Sequence, residues 1–176
     1  MRSRKDPRTT EIRYARLDTP LGPILAAAGD RGVRRLVLRE RDEAAFAREL
    51  RARPGVRPRR SAAALKPLHR ELRAYFAGRL RRFTVPFDLS GLTPFHQAVL
   101  RATAKIRFGR TASYGEIAKR IGKPGASRAV GNALGKNPVS LLVPCHRVVG
   151  CGGSIGGFTG GLGLKRALLK IEGLRI

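Results

Sequence analysis

The amino-acid sequence predicts a mixed α/β (α+β) fold: a small N-terminal β-sheet with helices, then a mostly helical C-terminal half with a helix-turn-helix and a cysteine-bearing loop. Three observations predict it. Apolar and polar residues alternate in short runs between residues 12 and 38, apolar residues recur at three- and four-residue spacing in several stretches from residue 42 onward, and residues 150–161 hold too many glycines for either pattern. Of 176 residues, 42% are hydrophobic and 28% charged, enough apolar material for a folded core. The length suits one ordinary domain or two small ones.

Residues 12–17 alternate apolar with polar, the period of a half-buried strand, and Pro20, Gly22 and Pro23 then punctuate the chain. Residues 24–28 and 33–38 read as two further short strands, with Gly29-Asp30-Arg31-Gly32 as their hairpin turn. From residue 42 to 51 the spacing of Ala45, Phe46 and Leu50 predicts an amphipathic helix. Residues 53–60 (Arg-Pro-Gly-Val-Arg-Pro-Arg-Arg) break the pattern and are expected to form a mobile basic loop. A second helix is expected over 65–76, with Leu65, Leu68, Leu72 and Phe76 on one face and Gly78 ending it; His69 there reads as structural or solvated.

Thr93-Pro94 marks a helix start, a hydroxyl at the cap and proline at the first helical position. Phe95, Ala98, Val99, Ala102 and Ile106 come next as a buried stripe. Ser113-Tyr114-Gly115-Glu116 has the capping-box spacing, Ile117, Ala118 and Ile121 make an apolar face, and Gly122 closes that helix. After the turn Lys123-Pro124-Gly125, residues 126–134 form another helix, expected to pack through Ala129, Val130 and Ala133. Two short helices across a turn are either a DNA-binding helix-turn-helix or an ordinary helical hairpin. The small side chains of the second helix favour close approach to a groove, and Arg128 is its one long cation.

Charge narrows the partner classes. Lys and Arg number 37 against 12 Asp and Glu, a net charge of +25, and residues 91–176 contain only two acids, Glu116 and Glu172. Nucleic acid is the first partner class and a membrane surface the second, although 29 arginines against 8 lysines also point to compositional bias. No apolar run approaches the roughly 20 residues of a membrane span, and the basic opening of the chain lacks the apolar segment of a secretory signal. Two cysteines do not make a disulfide scaffold. A soluble intracellular (cytoplasmic) protein is expected.

Residues 137–147 read Asn-Pro-Val-Ser-Leu-Leu-Val-Pro-Cys-His-Arg, an apolar strand delivering a thiol. A thiol is a strong nucleophile only as thiolate, which needs a neighbouring base or positive field. His146 can supply the base, directly or through water, Arg147 adds positive potential, and Glu172 completes a Cys–His–Glu set if it folds back onto the imidazole. The alternative for Cys145 is a small buried hydrophobe. Cys145, His146 and Cys151 lack zinc spacing, so no metal is expected. The glycine loop lacks a phosphate-loop ending and better suits a flat ligand held by backbone groups. Residues 162–171 close the chain as a helix with Leu164, Ala167, Leu168 and Ile171 inward.

Pro144-Cys145-His146-Arg147-Val148-Val149 resembles the active-site signature of the O6-alkylguanine-DNA alkyltransferases, the methylated-DNA–protein-cysteine methyltransferases. Thr93-Pro94-Phe95, Ser113 to Ala118, Ser127 to Gly131, Asn137-Pro138, Gly160-Gly161-Leu162, Lys165 and Glu172-Gly173 agree in order and spacing. The resemblance is strong over 88–176, implying a DNA-binding and alkyltransferase domain there and an α/β supporting domain over 1–87. It implies DNA repair by stoichiometric, irreversible transfer of a methyl or larger alkyl group to Cys145, one turnover per molecule, on a base flipped from the duplex. It implies further that His146 takes the thiol proton through water, Glu172 orients the imidazole, Asn137 holds the turn, and Lys165 supports the same network. Tyr114 would sit by the target phosphate and base, and Arg128 would fill the vacated stack. Ser127, Ala129 and Gly131 would line the minor-groove helix, and Val148, Ile155, Phe158, Thr159 and Gly160 would wall the guanine. The implied partner is double-stranded DNA carrying O6-alkylguanine, bound by a monomer without a cofactor. Leu100 replaces the family's frequent Trp, Ile106-Arg107-Phe108-Gly109 its Ile-Pro-Tyr-Gly, and Phe158 its common Tyr. Two rivals stand beside this: a non-enzymatic helix-turn-helix binder, which leaves the Cys–His–Glu set unused, and a cysteine hydrolase, which leaves the charge unused.

Overall fold

A computed structural model describes residues 10–175; the basic opening of the chain lies outside it. Strands β1 (Thr10–Leu17), β2 (Ile24–Gly29) and β3 (Gly32–Leu38) form an antiparallel meander, and the expected hairpin turn joins the last two. Helix α1 (Glu43–Arg51) is capped by Asp42, whose carboxylate accepts from the Ala45 N–H at 2.7 Å. The chain then returns as β4 (Val56–Arg60), parallel to β1, giving the sheet order β3-β2-β1-β4.

Strand β4 corrects the loop expected over 53–60. The two prolines and four arginines of residues 53–60 suppress a strand signal, but an edge strand is the place in a sheet where proline is tolerated and where charge blocks unwanted pairing. Pro58 pairs with Ile12 at that edge while Arg57, Arg59 and Arg60 face solvent.

The period-two pattern sorts the sheet's two faces. Ile12, Tyr14, Leu25 and Ala27 pack with Phe46, Ala47 and Leu50 of α1. The opposite set, Ala15, Leu17, Ile24, Ala26, Val33 and Leu36, joins Leu65, Leu68 and Leu72 around α2 (Lys66–Phe76) and continues without interruption into the second half. There lie α3 (Pro94–Ala104, capped by Thr93), α4 (Tyr114–Arg120), α5 (Ser127–Gly135) and α6 (Leu162–Ile171). The Ser113–Glu116 capping box forms in full at the start of α4. Val130, Ala133 and Leu134 bury the inner face of α5, whereas Ala129 is exposed: the helix begins at Ser127, and that phase turns position 129 to solvent with Arg128.

Two short contacts fix where the cysteine segment sits. The Leu36 N–H donates to the Pro138 carbonyl at 2.7 Å, and the Val33 N–H to the Pro86 carbonyl at 2.8 Å, so β3 is covered by the segment before α3 and by the one that leads to Cys145. A short parallel pair, β5 (Ala112–Ser113) with β6 (Val148–Val149), draws the start of α4 alongside the segment after Cys145.

Gly32 is what permits the close approach at β3. It has φ +117°, and a Cβ there would stand 2.3 Å from the Pro86 carbonyl oxygen. Gly32→Ala is expected to destabilise the fold by about 3 kcal/mol or more through combined backbone strain and overpacking, read as a lower urea midpoint at unchanged slope.

Candidate active site

Cys145 reaches the site on a folded-back turn, which corrects the expected strand. Leu141 has φ +73°, Ser140 and Val143 bridge back on one another, and Cys145–Arg147 is a single 3-10 turn. Residues 139–149 are buried except for the half-buried Ser140, so the run is apolar because it is enclosed on all sides; periodicity does not separate that case from a buried strand. Asn137 holds the turn from inside. Its Nδ2 donates to the Val143 carbonyl at 2.9 Å and to Cys145 Sγ at 3.2 Å, and its Oδ1 accepts from the Val139 N–H at 3.0 Å.

His146 points its Nε2 at Glu172 Oε1, 2.8 Å away, and both side chains are shielded from solvent. The carboxylate also receives the Tyr75 hydroxyl at 2.7 Å, the Gly109 N–H at 3.1 Å, and a fork from Arg147 through Nε (2.9 Å to Oε2) and Nη2 (2.9 Å to Oε1). Burial alone would raise the Glu172 value, but the His146 and Arg147 hydrogen bonds and charges outweigh it and hold it down to about 2. Glu172 is therefore ionised, and as an acceptor it requires the proton of His146 on Nε2. Burial pushes the His146 value down, so the ring is neutral near pH 7, and its Nδ1 has no partner among the described residues. That nitrogen is the free basic atom of the site.

The thiol itself carries its proton at rest. Burial pushes the Cys145 value up, and the hydrogen bonds from Asn137 and Ser140 only partly offset this. Ionisation thus has to accompany reaction. Beside the thiol is a cavity of about 260 Å³ lined by Tyr114, Gly131, Leu134, Gly135, Cys145, Gly157, Phe158 and Thr159. The Tyr114 hydroxyl donates to the Gly157 carbonyl at 3.4 Å, and the Thr159 hydroxyl to the Gly135 carbonyl at 3.0 Å, tying the glycine loop to α4 and α5. Gly156 has φ +63°, and a Cβ there would meet the Tyr114 hydroxyl at 3.1 Å, so this ring lies directly on the loop backbone.

Several residues singled out in the sequence sit elsewhere. Lys165 is fully buried, and its ammonium donates to the carbonyls of Val148 (2.6 Å), Ile155 and Gly157 (3.2 Å). It thus braces the glycine loop and makes no hydrogen bond to His146 or Glu172; burial lowers its value to about 8. Val148 turns its side chain into the core because it pairs in β6, and Ile155 contributes a carbonyl to Lys165, so neither lines the cavity. Gly160 packs against Phe158 and Leu164 and does not line the cavity. On α5, Arg128 and Ala129 are exposed and Ser127 is half-buried. Sequence reasoning missed Tyr75, Gly109, Leu134 and Gly135, and it read Arg147 only as a positive field. A Tyr on the inner face of an amphipathic helix carries no sign that its hydroxyl meets a carboxylate 97 residues away.

This fold and this site define an α+β protein whose buried thiol, backed by imidazole and carboxylate, opens into a small cavity under a pair of short helices. Residues 94–174 match the family described as 6-O-methylguanine DNA methyltransferase, DNA binding domain, and residues 12–89 match its ribonuclease-like domain. The methylated-DNA–protein-cysteine methyltransferase of Mycobacterium tuberculosis is 42% identical over 161 residues, 92% of each chain. That of Methanosarcina acetivorans is 39% identical over 164 residues, 91% of this chain and 97% of its own. The crystal structure of Mycobacterium tuberculosis OGT in complex with DNA superposes with TM-score 0.71 at 41% identity, covering 92% of each chain. The crystal structure of the O6-methylguanine methyltransferase of the same organism gives 0.72 at 41%, with the same coverage. The chain belongs to the methylated-DNA–protein-cysteine methyltransferase family.

Glu172→Gln leaves the Arg147 guanidinium buried without its counter-charge and is expected to cost about 3–5 kcal/mol at neutral pH. The folded-state value of about 2 lies below that of an unfolded carboxyl, so the native advantage is complete above about pH 4.5 and drains away as pH falls towards 2. The stability gap between wild type and variant should therefore narrow over that interval in urea titrations. Tyr75→Phe, which removes one donor to the same carboxylate, is expected to cost about 1.5–3 kcal/mol.

Proposed function

We propose that this protein repairs DNA by moving the alkyl group of an O6-alkylguanine onto Cys145, irreversibly and once per molecule. The observation that carries this is the opening of the Cys145 thiol into a base-sized cavity while His146 behind it is neutral, oriented by an ionised Glu172, and basic at Nδ1. A chain of this family is a methyltransferase that acts on DNA, and the mycobacterial relative crystallised in complex with DNA shares its fold.

A substituent on O6 lies within the base stack, so the nucleotide must rotate out before a side chain can reach it. Helix α5, with small Ser127, Ala129 and Gly131 beside Arg128, would lie in the minor groove, and Arg128 would occupy the vacated stack. The guanine then enters between Tyr114 and Phe158, with Thr159 backbone near O6. His146 Nδ1 takes the thiol proton through a water as sulfur attacks the alkyl carbon. The S–C bond forms, the C–O6 bond breaks, and its electron pair withdraws into the guanine ring. Tyr114 polarises the ring, and the base regains a proton at nitrogen, balancing the one lost by the thiol. Glu172 stabilises the transient imidazolium.

The product is a thioether that no group in the site reverses, hence one turnover. Residues 88–176 would carry binding and chemistry and residues 1–87 would support them. The protein would act as a monomer inside the cell, without a dissociable cofactor; no described helix is long and apolar enough to cross a membrane. Phe158, lacking a phenol hydroxyl, would alter the range of lesions accepted.

Intact mass after incubation with an O6-methylguanine duplex should rise by one methylene per chain, located on Cys145, and stop there. Steady multiple turnover, or no gain, removes the proposal. Arg128→Ala should slow repair of duplex about tenfold to hundredfold, the cost of unassisted flipping, while reaction with free O6-benzylguanine stays near wild type.

A further inference from the structure

A second cavity, of about 770 Å³ and larger than the one beside Cys145, lies on the far side of the cysteine turn. Its walls are apolar and partly aromatic: Phe83, Phe87 and Phe108, with Leu141, Leu142 and Pro144 from the outer surface of the turn. Its other lining residues include four exposed cations, Arg81, Arg82, Lys105 and Arg107, and no carboxylate. Some exposed arginines of this protein are matched: Arg16, Arg31, Arg48, Arg53 and Arg60 each meet a carboxylate within 4.0 Å. None of the four around this cavity does so among the described residues.

Arg147 supplies a built element rather than another surface charge. It is 6% exposed, lines this cavity, and lies 6.0 Å over the Phe108 ring. Its Nε, one N–H of Nη1 and one of Nη2 serve Glu172 and the Ile106 carbonyl, which leaves two of its five N–H groups without an acceptor among the described residues. A nearly buried guanidinium with spare donors, aromatic faces beside it and four unpaired cations around it match a ligand with a flat ring and an attached phosphate.

We infer that this cleft is a nucleotide-binding site, separate from the base cavity at Cys145, which stacks one base against its phenylalanines and holds the phosphate with Arg81, Arg82, Lys105, Arg107 and the spare donors of Arg147. The shared chemistry is a nucleoside phosphate; its source is either a free mononucleotide or an exposed single-stranded end. The inference does not depend on alkyl transfer.

The test is titration of the full protein, followed by NMR of its amides, with deoxythymidine monophosphate, the single-stranded tetranucleotide dT4, or inorganic phosphate. Saturable one-to-one shifts confined to residues 81–87, 104–108 and 141–147, at least about fivefold tighter for a nucleotide than for phosphate, are expected. Preference for dT4 over the monomer assigns a strand end, and the reverse a free nucleotide. Arg82→Gln with Arg107→Gln, both exposed and outside the alkyl-transfer site, should weaken nucleotide binding about tenfold or more while methyl transfer to Cys145 keeps its wild-type rate. Phe87→Leu, which keeps apolar bulk, should remove the preference for nucleotide over phosphate. Absence of saturation, equal affinity for phosphate, undiminished binding in the double variant, or shifts centred on Tyr114 and Phe158 would each overturn the inference.

Discussion

One carboxylate organises the site. Glu172 stands at the C-terminal cap of α6, the end of a helix where the backbone dipole disfavours negative charge, and it is sealed from water. It is ionised there only because donors converge on it from three other stretches of chain: Tyr75 in α2, Gly109 after α3, and the consecutive pair His146–Arg147. A buried charge with unmet lone pairs is costly, and one met by a guanidinium fork, an imidazole, a phenol and an amide is not. The helix of the first half, the turn after α3 and the cysteine turn are thus held in mutual register by a shared acceptor.

That constraint sets the protonation pattern of the neighbours. The ionised acceptor fixes the imidazole proton on Nε2, burial keeps the ring neutral, and the opposite nitrogen keeps its lone pair. The adjacent thiol is protonated for the same reason, burial. Such a pair is quiet in the absence of an electrophile, yet one proton transfer makes a thiolate next to an imidazolium whose charge is already matched. A sulfur consumed by its reaction benefits from being unreactive until the base is in place.

The sheet contributes by position. Its β3 edge receives Pro138 from the second half beside Pro86 of the first, so Asn137 and the turn it stitches are anchored to the sheet. The apolar core runs unbroken from the sheet through α2 to α6. On the loop side, Lys165 spends its three donors on three carbonyls and thereby fixes the wall that carries Phe158 and Thr159 opposite Tyr114.

Much of this was legible in the chain because its cause is local. The caps at Thr93 and Ser113, the hairpin at Gly29 to Gly32, the sheet's alternating faces and the Cys145–His146 pair all depend on residues within a few positions of one another. Strand β4 escaped because an edge accepts proline and arginine, and the cysteine turn looked extended because enclosure on every side erases periodicity. What the sequence determined by itself was which segments form elements and which atoms have the chemistry. Tertiary structure alone decided that Tyr75 and Arg147 serve Glu172, that Lys165 holds the loop and leaves the imidazole untouched, and that the thiol rests protonated. Each of those turns on which dipoles and charges surround a group after burial, and segments from distant parts of the chain supply them only once the core has closed.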